Sequence, residues 1–220
     1  MTQEFWERKW KAASIDSSEE SNATIIRDFL TLKPEELPFV PDFIWFSPPC
    51  QTYSRLAGGK HRSLKNGELE KSPESRKHNF IFGKMVEIMH WCREKAPHLI
   101  IVIENPVGTL KHMPLMKHLT KTFPLYSTQV DYCAFDRDEM KPTMIWTNDH
   151  RLMTTLSHFT CKNKCPYHGQ KHLANVRRDG SRFDFSAIPQ PLAEEVAEYV
   201  HSKFYQDHVQ DRVAASPDEP

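Results

Sequence analysis

A single cysteine stands in a rigid turn directly after a short apolar segment. Residues 47–51 read Ser-Pro-Pro-Cys-Gln and follow the apolar segment 42–46. Because proline fixes its own φ angle, Cys50 would have little conformational freedom to lose. A thiolate is a strong nucleophile, and ligands of open α/β sheets bind beyond the carboxyl ends of the strands. A lone cysteine is more often a buried structural residue, but this position favours a nucleophile.

An acidic residue follows the most apolar run of the chain. Residues 99–103 are five consecutive aliphatics, which is typical of a parallel strand covered on both faces. Glu104, Asn105 and Pro106 come next. Such an acid either ends a strand at the surface or belongs to a site. If segments 42–46 and 99–103 are neighbouring strands, Cys50 and Glu104 face the same cleft.

The elements that must position these residues alternate between short apolar runs and longer amphipathic ones. This alternation predicts an α/β layered domain. Apolar residues recur at helical spacing from Phe80 to Lys95, and Pro97 would stop that helix. Further strands are predicted at 128–135 and 143–147, and a closing helix at 191–204. The sequence therefore predicts the helices and strands of one α/β domain, followed by a polar tail.

Composition and charge narrow the possible classes of function. The 220 residues are 39% hydrophobic, enough for a real core, and the run 99–103 is too short to cross a bilayer. Five cysteines and no apolar leader favour a reducing compartment, cytoplasmic or nuclear, and no membrane partner. The net charge is zero, but segments 55–77 and 162–182 are locally basic. They are either two solvated loops or the walls of a cleft for a polyanion.

Several of these segments together resemble the cytosine-5 DNA methyltransferases. Pro-Pro-Cys-Gln and Glu-Asn-Pro are similar to the fourth and sixth motifs of that family. Segments 131–135 and 140–148 resemble its eighth motif in the form found in phage-type relatives, and 188–193 resembles its tenth. The resemblance covers about residues 5–205.

The resemblance implies a Rossmann-like sheet of the S-adenosylmethionine-dependent methyltransferases, truncated at its N-terminus, with a small C-terminal recognition insert. The implied organisation is a catalytic part at 1–148, a target-recognition insert at 149–186 and a closing helix of the catalytic part at 187–206. Residues 207–220 would form a disordered tail.

The resemblance also implies the reaction and its residues. Cys50 would add to a cytosine flipped out of DNA, and Glu104 would hydrogen-bond the ring. The two arginines of the family's eighth motif fall on Lys141 and Thr143, so the contact to the base would come from Lys141 or be reassigned to Arg137. The implied S-adenosylmethionine contacts are Asp16, Asp28, Phe29 and Pro48. The implied DNA contacts are Gln51, Arg55, Lys60, Arg62, Lys162, Lys164, Arg177 and Arg178.

One departure from the family limits this interpretation. No glycine precedes Gly58, although the family's cofactor loop is glycine-rich because the backbone must approach closely. We therefore expect the chain alone to bind S-adenosylmethionine weakly, unless a second chain supplies the loop. The alternatives are a catalytically inactive nucleic-acid-binding relative and a subunit that needs such a partner.

Cysteines and histidines recur within the predicted insert. Cys161, Cys165, His168 and His172 carry the atoms that zinc prefers. Their spacing is tighter than that of a standard zinc finger, and two cysteines in a basic loop also occur by coincidence. We assign no metal from the sequence and retain these four residues as candidate ligands.

Overall fold

A computed structural model describes most of the chain as two compact units. The described residues are 1–54, 59–63, 69–166, 169, 172 and 187–214, with side chains described to Tyr205. One unit consists of Ala13–Phe183, and the other combines Met1–Ala12 with Asp184–Pro220.

The larger unit contains the sheet on which the candidate site is built. Its strands are β1 (Ile15–Asp16), β2 (Ile25–Ile26), β3 (Phe43–Phe46), β4 (Ile100–Pro106), β5 (Tyr126–Asp131) and β6 (Pro142–Thr147). Strands β1 and β2 form a separate parallel pair, and the main sheet has the order β3-β4-β6-β5. Strands β3 and β4 run parallel, with Phe43 opposite Ile100, while β6 runs antiparallel to both β4 and β5. The prediction of a mixed α/β fold is confirmed.

A long helix forms the crossover between the two parallel strands. Helix α2 (Pro73–Lys95) begins earlier than the predicted Phe80, because Ser72 caps it and accepts a hydrogen bond from the N–H of Ser75 at 3.1 Å. Its buried face packs into the core through Phe82, Met85, Val86, Ile88, Met89 and Cys92. Among the described residues of this unit, three shorter helices follow: α3 (Pro114–Thr122), α4 (His150–Leu156) and α5 (Cys161–Lys164).

Only the first half of the segment 128–135, which is predicted as a strand, lies in a strand. Strand β5 ends at Asp131, and Tyr132–Phe135 form a 3₁₀ turn that closes at Asp136 in the left-handed region, with φ 60°. The Asp131 N–H donates to the Phe159 carbonyl at 2.9 Å. The Tyr132 N–H still donates to the Lys141 carbonyl at 3.2 Å, and the chain then turns out of the sheet.

The smaller unit pairs the two ends of the chain. Helix α1 (Thr2–Glu7) contacts α6 (Gln190–Ala214), and the Trp10 indole N–H donates to His201 at 3.0 Å. Helix α6 continues to Ala214, whereas the sequence predicts a loose tail at 207–220. Residues 207–214 are polar but contain no proline or glycine to stop a helix. Within the described part of the chain, no helix has the length and apolarity to cross a membrane.

Candidate active site and cysteine cluster

The ends of the parallel strands bring Cys50 and Glu104 to the same edge of the sheet. Cys50 lies beyond the end of β3, and its carbonyl accepts hydrogen bonds from the N–H groups of Tyr53 and Ser54 at 3.0 and 2.9 Å. The side-chain amide of Asn105, in β4, donates to the Pro48 carbonyl at 2.9 Å. The two strand ends are therefore tied together at the predicted motifs.

A close backbone approach fixes the loops that follow the two motifs. Gly108 forms an isolated bridge with Ser54, and the Thr109 N–H donates to the Tyr53 carbonyl at 2.7 Å. A Cβ atom at Gly108 would lie 2.0 Å from the Tyr53 carbonyl oxygen. Only glycine permits this approach, so the loop after Cys50 rests directly on the loop after Glu104.

Glu104 is buried inside a polar cluster. The Tyr132 hydroxyl donates to its Oε1 at 2.9 Å, and the Lys141 Nζ lies 3.9 Å from the same oxygen. The Lys141 Nζ also lies 4.4 Å from the centre of the Tyr132 ring. Burial raises the pKa of Glu104, and the charge of Lys141 opposes that rise. The carboxyl is thus biased toward its protonated form beside a cation.

The half-buried Cys50 thiol lies within electrostatic range of the same two groups. Burial raises its pKa, Lys141 lowers it, and Glu104 raises it. The Cys50 thiol is therefore coupled electrostatically to a carboxyl that can hold a proton and to an ammonium group. This arrangement can add a thiolate to an electron-poor ring while donating hydrogen bonds to that ring.

Arg137 has a different environment from Lys141. Its guanidinium donates to Glu139 Oε1 at 2.7 Å. The second Glu139 oxygen is buried without a hydrogen-bond partner. The charge of Arg137 reaches Tyr132 and lowers the pKa of that hydroxyl, although burial keeps the pKa well above its usual range. Of the two cations expected at the base, Lys141 is the one that approaches Glu104.

The four candidate cofactor contacts belong to the same unit. Asp16 ends β1 and is exposed, and its Oδ1 accepts the Ser18 N–H at 2.8 Å. Asp28 follows β2, is also exposed, and caps the turn at Phe29–Thr31. The Phe29 ring packs edge-on against Phe46 at 6.4 Å, and Pro48 is buried. Exposed carboxylates therefore stand at the end of β1 and after β2, the two strands of the parallel pair.

The predicted DNA contacts differ in exposure. Gln51, Lys60, Lys162 and Lys164 are exposed. Arg55, Arg177 and Arg178 lie outside the described residues. Arg62 is a correction, because it is only 2% exposed and its guanidinium donates to the Thr52 carbonyl at 2.9 Å and to Asn79 Oδ1 at 2.8 Å. These partners occupy the guanidinium, which therefore offers no group to a phosphate.

Arg62 belongs to a network behind Cys50 that sequence reasoning missed. Its guanidinium carbon lies 4.2 Å from the centre of the Tyr53 ring, and the Tyr53 hydroxyl donates to Asn79 Oδ1 at 3.0 Å. The network thereby holds Thr52 and Tyr53, the residues two and three places after Cys50. Nothing in the basic composition of this segment distinguishes a buried arginine from an exposed one.

A second group of reactive side chains gathers beside β5. The ligand atoms of Cys133, Cys161, Cys165 and His172 all lie within 4.8 Å of one another. Three of the four candidate zinc ligands are brought together, while His168 lies outside the described residues. The fourth side chain of the cluster is that of Cys133, which the sequence predicts to lie in a strand. All five cysteines are described, and none forms a disulfide.

Comparisons with known proteins agree with part of the motif resemblance. The chain is 27% identical over 170 residues to a probable DNA (cytosine-5)-methyltransferase of Frog virus 3 (isolate Goorha), covering 71% of this chain and 68% of that protein. This likeness supports a methyltransferase. Among solved structures, the Entamoeba histolytica methyltransferase EhMeth is 14% identical with a TM-score of 0.38, and the match covers 62% of this chain and 44% of that chain. That superposition is too loose to support a conclusion. No protein-family profile matches the sequence.

Proposed function

We propose that this protein transfers a methyl group from S-adenosylmethionine to carbon 5 of a cytosine in DNA. The single observation that carries the proposal is the placement of Cys50 beyond the end of β3 and of Glu104 near the end of the neighbouring parallel strand β4, with Lys141 Nζ 3.9 Å from the Glu104 carboxylate. The likeness to the probable Frog virus 3 methyltransferase supports the same reaction.

Cys50, Glu104 and Lys141 each have a separate role in the proposed reaction. The Cys50 thiolate attacks carbon 6 of the cytosine, and the ring electrons move toward carbon 5. The protonated Glu104 carboxyl hydrogen-bonds the ring nitrogen and stabilises the charge that develops there. The Lys141 ammonium favours the thiolate and balances Glu104 when that carboxyl ionises. After carbon 5 has received the methyl group, it loses its proton to solvent, and the electrons of that bond restore the ring double bond and expel the Cys50 thiolate.

S-adenosylmethionine supplies the methyl group that carbon 5 accepts. Asp16 and Asp28 would hold its hydroxyl and amino groups, and Phe29 and Pro48 would contact its adenine. We propose that the close backbone contact that the family makes through glycine comes from outside residues 1–57, which contain no glycine.

The target base must leave the DNA stack before it can reach Cys50. Flipping costs a few kcal/mol, which contacts to the phosphates can offset. Lys60, Lys162 and Lys164 are exposed cations suited to phosphate contact, and Gln51 is exposed one residue after the nucleophile.

Methyl transfer from radiolabelled S-adenosylmethionine to mixed-sequence duplex DNA tests the proposal. The protein is assayed alone and with the chains encoded beside it. We expect incorporation at carbon 5 of cytosine, and its complete loss in Cys50→Ala. Cys92→Ala is the matched control, since that thiol is fully buried in α2 away from the motifs. Incorporation that survives Cys50→Ala would contradict the assignment.

A second candidate function is DNA binding without catalysis, favoured by the exposed Lys60, Lys162 and Lys164, which can contact phosphates without any role for Cys50. In that case the protein would bind duplex DNA, and no added chain would elicit methyl transfer.

A further inference from the structure

We propose that Cys133, Cys161, Cys165 and His172 bind one zinc ion that ties the segment after α4 to the end of β5. This inference does not depend on methyl transfer.

The geometry of the cluster matches a closed tetrahedral zinc site. Three sulfur atoms and one imidazole nitrogen all lie within 4.8 Å of one another. His172 Nε2 is 3.6 Å from Cys161 Sγ and 3.2 Å from Cys165 Sγ. Ligands at about 2.3 Å (sulfur) and about 2.0–2.1 Å (nitrogen) from a central zinc are separated by roughly 3.5–3.8 Å in a tetrahedron. The observed separations need only small side-chain adjustments to reach these values.

The two parts of the cluster are far apart in the sequence, and contacts that do not involve the four ligand atoms hold them together. The Cys161 N–H donates to Asp131 Oδ2 at 2.8 Å across thirty positions of sequence. The Phe135 and Phe159 rings stack with centroids 4.5 Å apart. The Asp131 carboxylate is thereby engaged as a hydrogen-bond acceptor beside the cluster, and Gln129 donates to its other oxygen at 3.0 Å. These bonds position Cys133 and Cys161 before any ion arrives.

The donor set selects the ion and its role. Three thiolates and an imidazole prefer zinc to the oxygen-seeking cations magnesium and calcium. Four protein ligands complete a tetrahedron and leave no position for water or substrate, so the ion would be structural. The thiols lose their protons to solvent when the metal binds. No redox partner is required.

Metal analysis of the full chain tests the site directly. Protein expressed in zinc-supplemented medium and dialysed against metal-free buffer should retain about one zinc ion per chain. Cys165→Ser and His172→Ala should each lose it. Both targets are only half-buried, and circular dichroism would verify that the variants remain folded. Cys92→Ala and His158→Ala, which alter a thiol and an imidazole outside the cluster, should retain the metal.

Cobalt substitution provides a second readout in the same proteins. The wild type should show the absorption bands of tetrahedral thiolate-bound Co²⁺, and Cys165→Ser should shift or lose them. Chelator treatment should lower the melting temperature of the wild type but leave that of Cys165→Ser unchanged. A wild type that retains no zinc would overturn the proposal. So would zinc that survives Cys165→Ser, or a disulfide between two of the three cysteines.

Discussion

The protein places cysteines in two opposite chemical settings within one unit. Cys50 is a lone thiol that shares its surroundings with an ammonium group and a protonatable carboxyl. Cys133, Cys161 and Cys165 instead face one another and a histidine. The first setting leaves one sulfur available to a substrate, whereas the second offers several sulfurs to one ion. Under the two proposals above, the surroundings of a cysteine decide between covalent chemistry and metal binding.

The scaffolding of the two settings differs as well. Cys50 is positioned by neighbouring parallel strands and by the contact of Gly108 with Tyr53, all within a packed sheet edge. The cysteine cluster is assembled from a turn after β5 and the short helix α5, joined by the Asp131 to Cys161 hydrogen bond. A site made of loops has fewer buried contacts to fix it, which is where a metal ion adds most to order.

Among the effects that distinguish the two sites, the largest is expected for Glu104→Gln. This substitution should impair catalysis at Cys50 and leave metal binding at the cysteine cluster unchanged. Glu104→Gln keeps an acceptor for the Tyr132 hydroxyl but cannot hold or release the proton. We expect methyl transfer to fall by about 10²–10⁴-fold, with zinc content unchanged. Steady-state kinetics and metal analysis of the same preparation measure both. A variant that keeps full activity would remove Glu104 from the chemistry.

Glu104→Gln should also change the pH dependence of stability. Because burial raises the pKa of Glu104, its stabilising effect is present at low pH and is lost as the pH rises through that raised value. Glutamine does not ionise, so the variant does not lose this stabilisation as the pH rises. The variant should therefore melt at a higher temperature than the wild type at a pH above the raised pKa of Glu104. Thermal melts across a pH series measure the difference, which should disappear below the ordinary pKa range of a glutamic acid.

Thiol alkylation sharpens the contrast between the two settings. With zinc bound, iodoacetamide should modify Cys50 and spare the cluster, and chelator should expose Cys161 and Cys165 to the reagent.

Lys141→Met removes the charge that lowers the Cys50 pKa, so alkylation of Cys50 at neutral pH should slow severalfold. Peptide mass spectrometry resolves each site. Burial raises the pKa of Cys92 to about 11, so it serves as the unreactive reference.

The smallest expected effect concerns the exposed lysines of α5, which lie beside the cluster. The double variant Lys162→Ala/Lys164→Ala should weaken duplex binding and reduce the slope of log affinity against log salt by roughly 0.9 for each phosphate that is no longer neutralised. Fluorescence anisotropy at several salt concentrations measures the slope. Exchanging the exposed Lys111 and Lys117 in the same way provides a control. An equal change of the slope in both double variants would mean that the lysines of α5 contact DNA no more than other exposed lysines do.

The strands and their motifs can be predicted from the sequence because local pattern determines them. Apolar runs locate β3 to within one residue and the start of β4, although β4 extends to Pro106, beyond the predicted 99–103. Parallel pairing is consistent with the helical stretch between them. The shared edge of Cys50 and Glu104 is a consequence of that topology. The start of α2 is harder to predict, because the Ser72 cap is a weaker signal than the apolar spacing that follows it.

Long-range contacts explain what the sequence could not predict. The sequence predicts a strand at Cys133, whereas its place in the cluster depends on Asp131 bonding to Cys161. The basic surroundings of Arg62 predict a phosphate contact, whereas its burial depends on Thr52 and Asn79 meeting around it. Both outcomes depend on partners far along the chain, which local composition does not encode.

Covalent capture of the base is the most direct test of Cys50 as the nucleophile. Duplexes of mixed sequence carrying 2-pyrimidinone in place of one cytosine offer a carbon 6 that accepts a thiolate without prior methyl transfer. After incubation and digestion, mass spectrometry should find the adduct on the peptide containing Cys50, and none should form with Cys50→Ala. An adduct on another cysteine, an adduct that persists in Cys50→Ala, or no adduct with the wild type would contradict the proposed mechanism.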